Sequence, residues 1–153
     1  MGAIFQMPAT GIDDSVMELR RAKEAGAKGV GLATWPSGEA ILSVEDDKFW
    51  AVAEELAMPI HIHIGLTPPT VKTQKVAQKG GVPQLVAFST TMSRMPVLFA
   101  EFIFSGVFER FPALRFMFAE FGFLWLLPLL WRMDRVWRGL RHEVPWVKKP
   151  PSE

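Results

Sequence analysis

The sequence has no cysteine, almost no net charge and no long apolar run, and each lack excludes a class of function. Without cysteine, disulfides, zinc–thiolate sites and thiol nucleophiles are excluded. Seventeen basic residues against 16 acidic ones leave a formal net charge of +1, so no overall field favours nucleic acid or an anionic membrane. We therefore expect neither a nucleic-acid partner nor a membrane partner.

Signals for secretion, membrane insertion and nucleotide binding are also missing. The N-terminus lacks the basic and apolar regions of a signal peptide, which predicts a cytoplasmic protein. The two most apolar stretches, 96–107 and 116–131, are interrupted before they reach about 18 consecutive apolar residues. No glycine-rich phosphate loop follows the first strand, and no Walker lysine motif occurs.

The residues that are present predict one α/β domain over 1–153, with 141–153 as a tail. The chain is 49% hydrophobic, enough for a sizeable core. Strand and helix patterns alternate four times, which predicts parallel strands joined by right-handed crossovers, in a doubly wound sheet or a (β/α) barrel. The predicted strands are 3–7, 27–34, 58–65 and 114–119; the helices are 14–25, 46–57, a segment from 84 to 111 interrupted at Pro96, and 124–140.

Two local signals refine this outline. Ser43 and Asp46 have the spacing of a capping box at the start of the second helix. The segment 66–83 is rich in Pro, Gly, Lys and Gln, and loops of this length in compact domains are often lids or binding loops.

The segment 58–65 holds two of the three histidines, His61 and His63, alternating with isoleucines. In an extended strand the isoleucines point to one face and the histidines to the other. The isoleucine face needs an apolar cover, whereas the histidine face needs polar partners, a metal or a water-filled cavity. This pattern favours a strand in the wall of an active site. The alternative is a pair of core histidines hydrogen-bonded to the backbone or to one another.

Active sites of parallel α/β proteins lie at the carboxyl ends of the strands, where Thr34, Trp35, His63 and Glu120 occur. His63 is a candidate metal ligand there. Glu120 stands among aromatic residues, where a carboxylate is rarely tolerated unless a cation or a metal pairs with it; alternatively it caps the helix that follows. Glu101 and the arginines of the last helix are expected on solvated or ion-paired surfaces.

A larger set of segments, in order along the chain, resembles the amidohydrolase-related family that includes aminocarboxymuconate-semialdehyde decarboxylase and the resorcylate-type decarboxylases. The resemblance covers nearly the whole chain. The matching segments are 18–22 through 26–30, 58–63, 105–116, Ala119-Glu120, Trp125, 132–135 and 149–153.

The resemblance implies a metal-dependent (β/α)8 barrel that uses a divalent ion, commonly zinc or manganese, to hydrolyse or decarboxylate a small organic molecule. His63 matches the ligand histidine of the middle strand, and Glu120 falls at the ligand position of the next strand. Both are therefore predicted as catalytic and metal-binding residues. His61 matches no ligand; with Trp35 and the 66–83 loop it is predicted to shape the substrate pocket.

Two family features are missing from the sequence. The resemblance also implies a His-x-His pair on a first strand and an aspartate on a late strand, and neither matches here. We therefore expect a partial barrel of roughly four of the eight strands, with an incomplete metal site and little or no activity by itself. Open sheet edges would then favour a homo-oligomer. The alternative is a non-catalytic remnant or self-associating module.

Overall fold

The structure is a computed structural model that describes residues 2–39, 41–63, 85–86, 89, 93, 95–120 and 122–153. The loop predicted at 66–83 lies outside the described residues, and so does most of the helical pattern predicted between 84 and 94. In the described part, strands and helices follow in the predicted order, with ends within a few residues of the predicted ones. They are β1 Ile4–Gln6, α1 Ile12–Glu24, β2 Gly29–Leu32, a 3₁₀ turn Val44–Asp46, α2 Asp47–Glu55, β3 Ile60–His63, α3 Met95–Phe104, α4 Val107–Arg110, β4 Phe116–Ala119 and α5 Leu126–Leu140.

The four strands form one parallel sheet in the order β1-β2-β3-β4. Val30 lies opposite Ile60, and Ile60 lies opposite Phe116. Each strand therefore pairs with the next one along the chain, as in a barrel, whereas the strand order of a doubly wound sheet reverses at a switch point. The predicted fold class, four parallel strands of a (β/α) barrel alternating with helices, is confirmed.

The two faces of the sheet differ as the alternation in β3 predicts. Ile60 and Ile62 are fully buried against the helices, in one cluster with Val30. His61 is half-buried and His63 exposed on the opposite face, which becomes the inside when a sheet of this kind closes into a barrel. We call this opposite face the inner face.

An aromatic cluster fixes the helix layer on the sheet. The ring of Phe102 in α3 lies 4.3 Å from the ring of Phe116 in β4 and 5.9 Å from that of Trp50 in α2. Such tilted and edge-on pairs stabilise a core beyond the area that they bury. Pro96 lies in the first turn of α3, where its missing N–H costs no helix bond.

The predicted capping box is present at the start of the second helical segment. Asp46 is fully buried, and its carboxylate accepts hydrogen bonds from the backbone N–H groups of Ser37 (2.7 Å) and Ser43 (2.9 Å). One side chain thus ties the loop after β2 to the start of α2.

The amphipathic pattern predicted for the last helix is confirmed in α5, where Met133 and Trp137 are buried and the arginines are exposed. Residues 141–153, predicted as a tail, fold back onto the helices. The indole N–H of Trp137 donates to the carbonyl of Val147 at 3.0 Å, and that of Trp146 donates to the carbonyl of Phe104 at 2.8 Å. Within the described ranges, no helix is both long and apolar enough to cross a membrane.

Candidate functional site

His63 and Glu120 meet at the carboxyl edge of the sheet. His63 is the last residue of β3 and lies opposite Ala119, the last residue of β4, so Glu120 follows immediately beside it. The Nε2 atom of His63 lies 3.3 Å from the Oε2 atom of Glu120. The structure therefore brings together the two side chains predicted as ligands, at the edge where active sites of parallel sheets form.

The surroundings of Glu120 are more open than predicted. Its side chain is 64% exposed and that of His63 is 57% exposed, so the expectation of a carboxylate enclosed by aromatic rings is wrong. The local backbone explains this: Glu120 has φ +66°, in the left-handed region, so the chain turns sharply as β4 ends.

The proposed helix-capping role of Glu120 is also wrong. Helix α5 begins at Leu126, its N-cap residue is Trp125, and no side chain makes a capping hydrogen bond there. A non-glycine residue held at positive φ costs about 1 kcal/mol, and such residues are enriched at functional sites. Pairing with His63 is thus the one described role that the structure gives the Glu120 carboxylate.

His61 lies one layer below His63 on the inner face. A Cβ atom placed on Gly29 would come within 2.5 Å of its Nε2 atom and 2.7 Å of its Cδ2 atom, so the imidazole lies directly over this glycine. Gly29 belongs to β2, the neighbouring strand. The missing side chain at residue 29 therefore makes the space that His61 occupies.

Sequence reasoning missed a further polar group on this face, the amide of Gln6. In the sheet register Gln6, Gly31, His61 and Met117 form one row across the four strands. The Nε2 atom of Gln6 donates to the carbonyl of Gly31 at 2.9 Å. The sequence feature that could have predicted this row is the pair Gly29 and Gly31, two residues apart in β2. These glycines leave one face of that strand without side chains.

The structure does not place Trp35 beside His61 or His63. Its side chain is fully buried, and its ring lies 5.2 Å from that of Phe102, edge-on, within the helix layer. The predicted contact of Trp35 with substrate therefore gains no support from its placement. It acts in the core, next to the point where the chain leaves β2.

We next ask whether the residues present fit a metal. The 3.3 Å between Nε2 of His63 and Oε2 of Glu120 is an ion-pair distance, short enough for both atoms to bind one ion. Catalytic zinc sites draw on three protein ligands. Among the described residues, no group of three His, Cys, Asp or Glu side chains could hold an ion. The described chain thus supplies two suitable donors.

The sequence as a whole matches the family profile of amidohydrolases over residues 3–152, and the chain belongs to that family. Its members generally use divalent metals. A search of curated proteins returned no match.

Solved structures with the same fold include an amidohydrolase from Mycobacterium avium subsp. paratuberculosis K-10. It has a TM-score of 0.70 and 20% sequence identity, over 98% of this chain and 38% of that one. Another is 2,6-dihydroxybenzoate decarboxylase in complex with 2,6-dihydroxybenzoate, with a TM-score of 0.61 and 20% identity, over 98% of this chain and 45% of that one. The chain thus spans less than half the length of these structures.

Proposed function

We propose that this chain forms part of the active site of a metal-dependent hydrolase or carboxy-lyase that acts on a small organic acid or amide. The observation that carries the proposal is the 3.3 Å approach of His63 to Glu120 at the carboxyl ends of β3 and β4. Family membership supports the reaction class, because amidohydrolases generally use divalent metals.

Each side chain has a distinct task in this proposal. The neutral imidazole of His63 offers a nitrogen lone pair, and the carboxylate of Glu120 offers an anionic oxygen that either binds the ion or accepts a proton. His63 and Glu120 would hold a divalent ion, which would supply Lewis acidity and activate water near neutral pH. His61 lies below this pair on the inner face and would contact the substrate.

We further propose that the chain by itself has little or no activity. With two protein donors, His63 and Glu120, an ion would be held weakly, whereas catalytic zinc sites have three protein ligands. The second candidate function, a non-catalytic self-associating module, is favoured by a different observation: apolar side chains on the inner face are open, with Ile4 54% exposed and Met117 53% exposed.

Metal binding tests the first candidate, with Zn²⁺ and Mn²⁺ titrated calorimetrically into the 153-residue chain. We expect His63→Ala and Glu120→Gln each to weaken binding by roughly tenfold or more, since each removes one of two donors. His142→Ala is the matched control, because Nε2 of His142 also lies 3.3 Å from a glutamate oxygen, that of Glu143, but away from the sheet. Unchanged affinity in His63→Ala, or an equal loss in His142→Ala, would reject the assignment.

A further inference from the structure

Extended backbone at Glu120 would point its carboxylate away from His63. Phe118 lies opposite the buried Ile62 in the sheet register, on the helix side. Ala119 lies opposite His63, on the inner face. Since side chains alternate along a strand, residue 120 would then point toward the helix layer with Phe118. Glu120 instead has φ +66°, and its Oε2 atom lies 3.3 Å from Nε2 of His63. The left-handed backbone therefore brings the carboxylate to the histidine.

The left-handed backbone at Glu120 has to be held by its surroundings. A residue with a Cβ atom is sterically disfavoured in this region, and such conformations persist only where neighbouring contacts fix them. Gly122, two residues further on, is also left-handed, with φ +57°. The position of the Glu120 carboxylate thus depends on how firmly the turn between β4 and α5 is fixed.

Trp125, the N-cap residue of α5, fixes this turn at its far end. Its indole N–H donates to the carbonyl of Gly122 at 3.0 Å. Its ring lies edge-on to that of Phe99 in α3, at 5.8 Å, and the Phe99 ring lies 5.8 Å from that of Phe118 in β4. Edge-on aromatic pairs stabilise packing beyond the area that they bury. One side chain therefore joins the carbonyl of the left-handed residue 122 to the helix layer beside the end of β4.

We propose that Trp125 is a positioning residue, which holds the turn after β4 so that the Glu120 carboxylate stays beside His63. Its effect passes through the backbone of the turn, since its N–H is bonded to Gly122 and its ring to Phe99. As far as metal binding is concerned, the inference rests on the proposed function. The geometry itself exists without a metal and can be measured separately.

Replacement of the indole tests this role. Trp125→Phe removes the N–H and keeps an aromatic ring against Phe99. Trp146→Phe is the matched control, because the indole N–H of Trp146 also donates to a backbone carbonyl, that of Phe104, at 2.8 Å. Phe104 ends α3, and because the chain returns from β3 to β4 through α3, this bond lies toward the opposite edge of the sheet. Each variant loses one hydrogen bond of the same kind, so denaturant unfolding should show comparable losses of stability.

NMR of the metal-free chain measures the pair directly. We expect nuclear Overhauser contacts between the imidazole of His63 and the side chain of Glu120, which Trp125→Phe weakens and Trp146→Phe retains. Zn²⁺ affinity should fall by roughly three- to tenfold in Trp125→Phe alone, the equivalent of about one hydrogen bond. Contacts absent from the unmodified chain, unchanged in Trp125→Phe, or weakened equally in both variants would overturn the proposal. Contacts that respond as expected in a chain with no Zn²⁺ affinity would reject the metal-binding function and support the positioning role.

A second pair of variants changes the conformation of the turn and keeps its hydrogen bond. Gly122→Asn and Gly122→Val each add a side chain where a new Cβ atom meets none of the described atoms within 4 Å, and both keep the carbonyl that accepts from Trp125. Asparagine tolerates left-handed backbone, whereas a β-branched residue rarely adopts it. We expect Gly122→Val to lose the contacts between His63 and Glu120 and to bind Zn²⁺ roughly tenfold more weakly. Gly122→Asn should behave like the unmodified chain, and equal behaviour of the two variants would count against the proposal.

Discussion

The packing of His61 against Gly29 can be tested by filling the space that this glycine leaves. In Gly29→Ala the new Cβ atom would lie 2.5 Å from Nε2 of His61, whereas ordinary contacts begin near 3.4 Å. The imidazole would have to move by roughly 1 Å, and overpacking of this kind costs about 1–3 kcal/mol. Alanine recovers about 0.5–1 kcal/mol over glycine within a strand. We therefore expect a net loss of up to about 2.5 kcal/mol in the free energy of unfolding, centred near 1 kcal/mol.

The matched control for this change is Gly31→Ala, in the same strand and on the same face. There the new Cβ atom would approach the side-chain oxygen of Gln6 at 3.0 Å, and a flexible amide can move aside. Because alanine has the same advantage of about 0.5–1 kcal/mol there and only the amide has to shift, we expect Gly31→Ala to be at least as stable as the unmodified chain. Denaturant unfolding measures the free energies, and NMR of the imidazole resonances reports the movement of His61. If Gly29→Ala were as stable as the control, with the His61 resonances unmoved, the described packing would be refuted.

Two further substitutions test the frame around the site by thermal and denaturant unfolding. Asp46→Ala leaves the half-buried N–H groups of Ser37 and Ser43 without their acceptor, so we expect a loss of about 1–3 kcal/mol; a loss below about 0.5 kcal/mol would contradict this role. Gly106→Ala would place a Cβ against the indole of Trp146 at φ +74°, and we expect a loss of about 2–3 kcal/mol with a change in tryptophan fluorescence. Unchanged fluorescence and stability would contradict that packing.

The position of the histidines could be predicted because it depends on short-range rules. The period of two in β3 assigns His61 and His63 to one face, and buried isoleucines identify the other face as the helix side. The meeting of His63 with Glu120 follows from parallel pairing of consecutive strands, which aligns their carboxyl ends. Neither step needs knowledge of distant packing.

The placement of Trp35, Glu120 and the exposed side chains of α5 could not be predicted from the local sequence pattern. Trp35 lies three residues after the end of β2, where the chain can turn either toward the inner face or into the helix layer. Its ring packs against Phe102 in the helix layer. Glu120 looked enclosed because its sequence neighbours are aromatic, but the positive φ of this residue turns it into solvent. The exposure of Leu127 and Trp131 on α5 does not follow from the sequence either, since hydrophobicity alone does not show whether a packing partner is present.

Direct observation of the imidazole nitrogens during metal titration tests the central claim, that His63 and Glu120 form a ligand pair. The chain has three histidines, so three sets of ring ¹⁵N resonances suffice to follow them all. On addition of Zn²⁺ we expect the Nε2 resonance of His63 to shift first and furthest, and Glu120→Gln to weaken that response, while His142 changes little. A His63 resonance that stays in place as His142 shifts, or a response indifferent to Glu120→Gln, would contradict the account.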